Sequence, residues 1–182
     1  MRDLSQHLLD LLENAIAASA TTVHVTIHDS LRDNSITVRI DDDGHGMPPH
    51  ILASASDPYT TSRTTRHVGL GLPLLLLTTQ RCHGTMQLTS TVGKGTQLLF
   101  SLQHDHWDRP PMGDLAGTLA LTIATHDDIR FFFSYHTDHG RYALSSDELR
   151  DALGVTSLNH FRIVSLITTL LADGLKAVEA NK

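Results

Sequence analysis

Three patterns predict a mixed α/β fold for this 182-residue chain. Leu4, Leu8, Leu11, Leu12 and Ile16 recur at helical spacing. Val23, Val25 and Ile27, then Ile36, Val38 and Ile40, alternate with polar residues as two half-buried strands do. The alternation returns at Met86 and Leu88 and again at Leu98, Phe100 and Leu102, after an apolar run from Leu70 to Leu77.

The length fits one domain, or one domain plus a small appendage, and a single core of that size needs no covalent staples. Cys82 is the only cysteine, so no intramolecular disulfide forms and a reducing cytoplasm is the simplest setting. Arg2, Asp3, Asp10 and Glu13 interrupt the first residues, which excludes an ordinary signal peptide, and Leu70–Leu77 is far too short to span a bilayer. The expectation is a soluble protein with no membrane partner. A net charge of -6 argues against a general nucleic-acid binder.

On the first helix His7, Asp10 and Asn14, three and four residues apart, share a face distinct from the apolar stripe. Taken alone that is a solvated polar face. After the turn-like Ser30–Ser35 the second strand runs into Asp42-Asp43-Gly44-His45-Gly46, where glycines let the backbone close on a ligand. An acidic turn or partial calcium loop is the bland alternative, but the other calcium-loop ligands are missing. Gly69 and Gly71 then open the apolar run, so phosphates would meet free N–H groups at a helix start, and Pro73 fits its first turn. Gly93–Thr96 joins the last two strands. No GxxxxGK[ST] string occurs, which rejects a P-loop enzyme.

The segments Leu8–Ile16, Asp41–Met47, Val68–Leu72 and Gly93–Thr96, in that order, resemble the Bergerat-fold (GHKL) superfamily of gyrase, heat-shock chaperones, histidine kinases and MutL over residues 1–103. The resemblance implies a two-layer α/β sandwich that binds ATP with Mg²⁺. It places Asn14 on the metal, and Asp10 where ATPases carry a water-activating Glu. Asp10 is one methylene shorter, which weakens its hydrogen-bond reach to water. Asp42 takes the place of the aspartate that accepts from the adenine amine, with Gly44 and Gly46 beside it. Asp57–Ser62 resembles the box before the ATP lid and contributes Thr60 and Thr61. The short lid that follows offers Arg63 and Arg66 to phosphate oxygens, which guanidinium geometry suits, although two solvated loop arginines are the alternative. Gly69, Leu70, Gly71 and Thr96 complete the implied nucleotide contacts, while Lys94 reads as a turn residue.

Residues 104–114, with paired prolines, read as a linker, and 115–182 as a small α/β C-terminal region. There the pattern predicts a helix at Leu115–Thr125, a strand carrying Phe131, Phe133 and Tyr135, a strand near Arg141–Leu144, and a helix capped by Ser145 and Glu148. A longer helix follows over Leu158–Val178, with Gly174 as a break near its end. This region is either a separate module or an extension packed on the pocket domain. Its apolar helix and aromatic strand are either packing or a surface for a partner or a second copy, which leaves a homodimer open. His126–Arg130 imitates a phosphoacceptor box but has one residue too many and runs into a strand. His104 with His106 and His136 with His139 lack cysteine partners or a paired helix and read as loop histidines.

Over its full length the chain is similar to small stand-alone bacterial histidine-kinase-like ATP-binding proteins. That resemblance implies a regulatory kinase or ATPase acting on a protein partner or phosphoacceptor in trans, or a nucleotide switch that docks one. Because the N-box helix opens the chain, with no acceptor hairpin ahead of it, self-phosphorylation on histidine is not expected.

Overall fold

Residues 3–55 and 71–179 are described in the computed structural model, and they form twelve elements. These are α1 (Leu4–Ala17), β1 (Thr22–Ser30), β2 (Ser35–Asp42), α2 (Pro49–Ala55), α3 (Gly71–Arg81), β3 (Met86–Thr91), β4 (Gly95–Gln103), α4 (Leu115–Thr125), β5 (Arg130–Thr137), β6 (Arg141–Ser145), α5 (Ser146–Leu153) and α6 (Phe161–Glu179). All six strands share one sheet in the order β3-β4-β2-β1-β5-β6. Every neighbouring pair is antiparallel except β1 with β5, whose parallel ladder runs from Thr22 opposite Arg130 to Asp29 opposite Thr137.

Period-two alternation sends one set of side chains to a single face. Val23, Val25 and Ile27 of β1 are buried there beside Ile36, Val38 and Ile40 of β2, Leu98, Phe100 and Leu102 of β4, and Phe131, Phe133 and Tyr135 of β5. Against this face lie the apolar stripes of the helices: Leu8, Leu11 and Leu12 of α1, Leu72 and Leu75 of α3, Leu119 and Ile123 of α4, and Ile167 and Leu171 of α6. Helices α3, α1, α4 and α6 contact one another in that order across the sheet. The result is the two-layer α/β sandwich expected from the sequence.

The C-terminal residues 115–179 continue the layers built by the first hundred residues, strand on strand and helix on helix. The segment before them is an ordered strap. The carbonyls of Pro111 and Met112 accept the N–H groups of Leu4 and Ser5 at 2.9 Å, satisfying donors that the first turn of α1 cannot pair internally. Asp3 caps the same turn through Gln6. Phe131, Phe133 and Tyr135 are interior packing, not surface.

Two local readings change. Helix α6 runs unbroken through Gly174, where an added Cβ would lie 2.2 Å from the Tyr142 ring. The glycine makes room for an aromatic side chain and does not end the helix. The short α2, which the sequence reading omits, starts at Pro49, a residue suited to a helix's first turn.

Candidate nucleotide site

The C-terminal half of α1, the loop after β2, α2 and the first turn of α3 enclose a cavity of about 640 Å³. Its lining includes Asn14, Asp42, Gly46 and Thr96 of the expected set, together with Ala17, Ala18, His45, Met47, Pro48, Ile51, Leu72 and Val92. A largely apolar hollow of this size with a few polar groups is the usual form of a small-molecule site.

Asp42 ends β2 and is half-buried. Burial pushes its carboxyl above the ordinary carboxylate range, against the opposing pull of the Gly44 and Thr96 backbone N–H groups. Gly44 donates to Asp42 Oδ1 at 2.9 Å, and among the described residues the carboxylate keeps unfilled acceptor capacity. Its neighbour Asp43 is committed elsewhere. Although burial pushes its pKa up, hydrogen bonds from Thr21 and Thr22 hold that carboxyl below the ordinary range.

The loop is pinned on two sides. His45 N–H donates to the Ala18 carbonyl at the end of α1, and the His45 carbonyl accepts from Gly93 N–H of the β3–β4 turn. Gly46 has φ +67°, and a Cβ there would strike the Thr91 carbonyl at 2.1 Å, so both conformation and space demand glycine. Thr96 Oγ1 lies 2.9 Å from Ser90 Oγ, which accepts from Met47 N–H. The GKGT turn is thus seen against the Asp42 loop.

On α1 the three polar residues diverge. Asn14 is half-buried at the cavity wall. Asp10 is half-buried one turn earlier, outside the lining, and burial pushes its carboxyl upward. Gly71 brings the start of α3 so close that an added Cβ would lie 2.8 Å from Asp10 Oδ2. His7 is only 2% exposed, with Nε2 3.3 Å from Thr78 Oγ1 of α3. Burial lowers its pKa to about 4. The face that the sequence reads as polar therefore changes from interior to pocket wall along its length.

Thr60, Thr61, Arg63, Arg66, Gly69 and Leu70 lie outside the described residues. His45, Met47, Pro48, Ile51 and Val92 are wall residues that sequence reasoning missed. The signal for most of them was Pro48-Pro49 after the glycine loop, which announces a helix start and hence a wall. His126 caps the C-terminal end of α4, its Nδ1 3.2 Å from the Thr122 carbonyl, in the turn that leads to β5.

The family model described as histidine kinase-, DNA gyrase B-, and HSP90-like ATPase matches residues 1–106. A sensor protein of Shewanella frigidimarina is 35% identical over 105 residues, 56% of this chain and 16% of its own. Sensor protein kinase FleS of Pseudomonas aeruginosa is 36% identical over 90 residues, 49% of this chain and 22% of its own. The chain thus spans less than a quarter of these relatives' length. The N-terminal domain of a DNA repair protein superposes with a TM-score of 0.55 at 19% identity, covering 80% of this chain and 53% of that one. At such identity the likeness concerns fold, and its coverage extends past the family match.

Proposed function

Since the chain belongs to the histidine kinase-, DNA gyrase B- and HSP90-like ATPase family and is homologous to sensor kinases, we propose that it binds ATP with Mg²⁺ in the cytoplasm and acts as a regulatory kinase or ATPase on a partner protein. The observation carrying this reading is a carboxylate, Asp42, whose acceptor capacity is unfilled among the described residues, on the wall of a largely apolar cavity. A carboxylate there accepts from the exocyclic amine of adenine and would meet a carbonyl in guanine. The wall residues Met47, Ile51, Leu72 and Val92 suit a flat heteroaromatic base.

The donor set fits the metal as well. Asn14 offers a neutral amide oxygen, and Mg²⁺ prefers few protein oxygens alongside phosphates and water. Bound Mg·ATP supplies the transferable phosphoryl group and neutralises its charge. Thr60, Thr61, Arg63, Arg66, Gly69, Leu70 and Gly71 would orient the phosphates, the last three through backbone N–H groups. Asp10 would order water beside the metal. Its short side chain and its packing against Gly71 leave it poorly placed to take a proton, so turnover is slow. That single feature favours a second reading, in which bound ATP switches the docking of a partner and hydrolysis only times its release.

Calorimetry with ATP and GTP in the presence of Mg²⁺ tests the binding step. Preference for ATP, together with a magnesium-dependent gain in affinity that Asn14→Ala removes, supports the assignment, and equal affinity for both nucleotides refutes it. Partner capture with γ-labelled ATP then separates the readings, because a kinase labels the captured protein and a switch releases only free phosphate.

A further inference from the structure

The sheet has a second face, turned away from the helices, which the nucleotide reading leaves unused. Here β1 presents His24, Thr26 and His28, and β5 presents Phe132, Ser134 and His136, all half-buried or exposed. Register places Thr37, His28, His136 and Arg141 in one row across β2, β1, β5 and β6. We propose that His28, His136 and Arg141 form a binding site for a phosphate-class dianion on this face.

The two imidazoles stack with centroids 4.3 Å apart and planes within 14°. Among the described residues no hydrogen bond or ion pair reaches either ring or the Arg141 guanidinium. Three other arginines behave differently: Arg39 is held by Asp41, Arg130 by Asp147, and Arg150 by both Asp127 and Asp147. Arg141 and the histidine pair therefore keep all their N–H donors available, in a chain whose overall charge is -6.

Most charges around the row are engaged elsewhere, and among the described residues Glu148 is the one carboxylate that shares a hollow with Arg141. On β2, Arg39 and Asp41 neutralise each other, and Gln97 of β4 also holds Asp41 at 2.7 Å. On the open face of β1 the nearest titratable group is His24, which stacks on Phe132 of β5 at 4.5 Å, while Asp29, next to His28 in the chain, is buried on the other face. Arg130 lies over the same Phe132 ring, 5.4 Å from its centroid. Past the end of β5, Asp138 uses its two oxygens on Ser30 and the N–H groups of Leu31 and Arg32. Glu148 of α5 shares a hollow of about 410 Å³ with His24, Ser134 and Arg141, but its Oε2 accepts from Ser145 N–H and Oγ.

Chemistry selects an anion over a metal. Two imidazoles alone would chelate a transition metal, but a guanidinium in the same row repels a dication, and no carboxylate or thiolate stands in that row to offset it. Stacked imidazolium rings repel each other. Burial, and then the positive charges of His28 and Arg141, push the His136 pKa down. A dianion bridging both rings and the guanidinium reverses that penalty and accepts several charge-assisted hydrogen bonds at once.

Sulfate is the suitable probe, because it stays doubly charged while histidines titrate. The readout is the imidazole Cε1–H NMR signals of His28 and His136, assigned with His28→Gln and His136→Gln, with His83 as internal control since its ring packs on His106. At about pH 6 sulfate should shift both signals and raise the apparent pKa of His136, and binding should weaken at least about tenfold by about pH 8 as protonated imidazole is lost. Arg141→Gln should weaken it by about tenfold, the loss of one charged hydrogen bond. A parallel titration with a phosphoserine peptide separates the sources: tighter binding assigns a phosphoryl group on another chain, and equal binding assigns the free ion. Unmoved His28 and His136 signals in high sulfate, or unchanged affinity in Arg141→Gln, would overturn the site. Zn²⁺ perturbing the pair where sulfate does not would replace it with a metal site. None of these readouts depends on ATP binding.

Discussion

Asp29 and Asp42 stand at opposite ends of the paired strands β1 and β2, and their surroundings differ in kind. Asp29 is buried where four segments converge: Tyr135 of β5 donates to it at 2.8 Å, His104 of the strap approaches at 2.9 Å, and the same Tyr135 hydroxyl lies 3.3 Å from Glu179 of α6. That burial, with the two carboxylates beside it, pushes the Tyr135 phenol far above its ordinary range and keeps it a donor. Among the described residues Asp42 receives only backbone N–H groups, and it faces a cavity. A carboxylate enclosed by side-chain partners ties elements together. One left with unfilled acceptor capacity in a hollow is available to a ligand.

The sharpest way to break this contrast is to delete Gly113–Lys182. If the C-terminal region were separable, ATP binding would survive. The strand ladder predicts otherwise, because deletion strips β5 from β1, uncovers the apolar side of α1 where α4 packs, and leaves Asp29 without Tyr135. We expect loss of cooperative thermal unfolding by calorimetry, and a truncated chain melting near the full-length temperature would show two independent units.

Next in size is Asp29→Ala, which leaves His104 and the Tyr135 hydroxyl facing an empty buried position. Breaking one partner of a buried charged group costs on the order of 3 kcal/mol, measured as a lower urea midpoint with nucleotide affinity of the folded protein unchanged. Asp42→Asn should do the opposite. Unfolding free energy should stay within about 1 kcal/mol of the parent, since the Gly44 contact survives, while ATP affinity falls about a hundredfold as an acceptor becomes a mismatched amide. Equal stability losses in the two variants would erase the distinction.

Much of this architecture is legible in the sequence because it is local. Alternation marks β1, β2, β4 and β5, and the Ser145/Glu148 capping box forms as its spacing indicates. Long-range facts are not written in spacing. The parallel pairing of β1 with β5 joins segments about a hundred residues apart, and Gly174 is explained only by Tyr142 arriving from another strand. Within the site, Asn14 and Asp42 were legible because motif and fold agree there. His7 was not, because a histidine three residues before Asp10 reads as part of a polar face until α3 covers it.

His7 is the exception that sharpens the comparison, since it has an unfilled acceptor without a ligand site. Thr78 Oγ1 donates to the Leu74 carbonyl at 2.9 Å, so it accepts from His7 Nε2–H, and the tautomer leaves Nδ1 as a buried lone pair without a partner among the described residues. Burial lowers the folded pKa to about 4 from an ordinary 6.5. The unfolded chain therefore takes the proton first as pH falls. Stability is unaffected by this group above about pH 7, declines between about 6.5 and 4, and is lower by about 2 kcal/mol at about pH 5. His7→Leu removes both the titration and the orphan, while Thr78 keeps its donor bond to Leu74. Urea midpoints of the two proteins should lie close together at about pH 7.5, and the variant should be the more stable by about 2 kcal/mol at about pH 5. Parallel acid slopes would mean that the folded imidazole accepts a proton as readily as the unfolded one, and that the α1–α3 contact is wetter than its geometry implies.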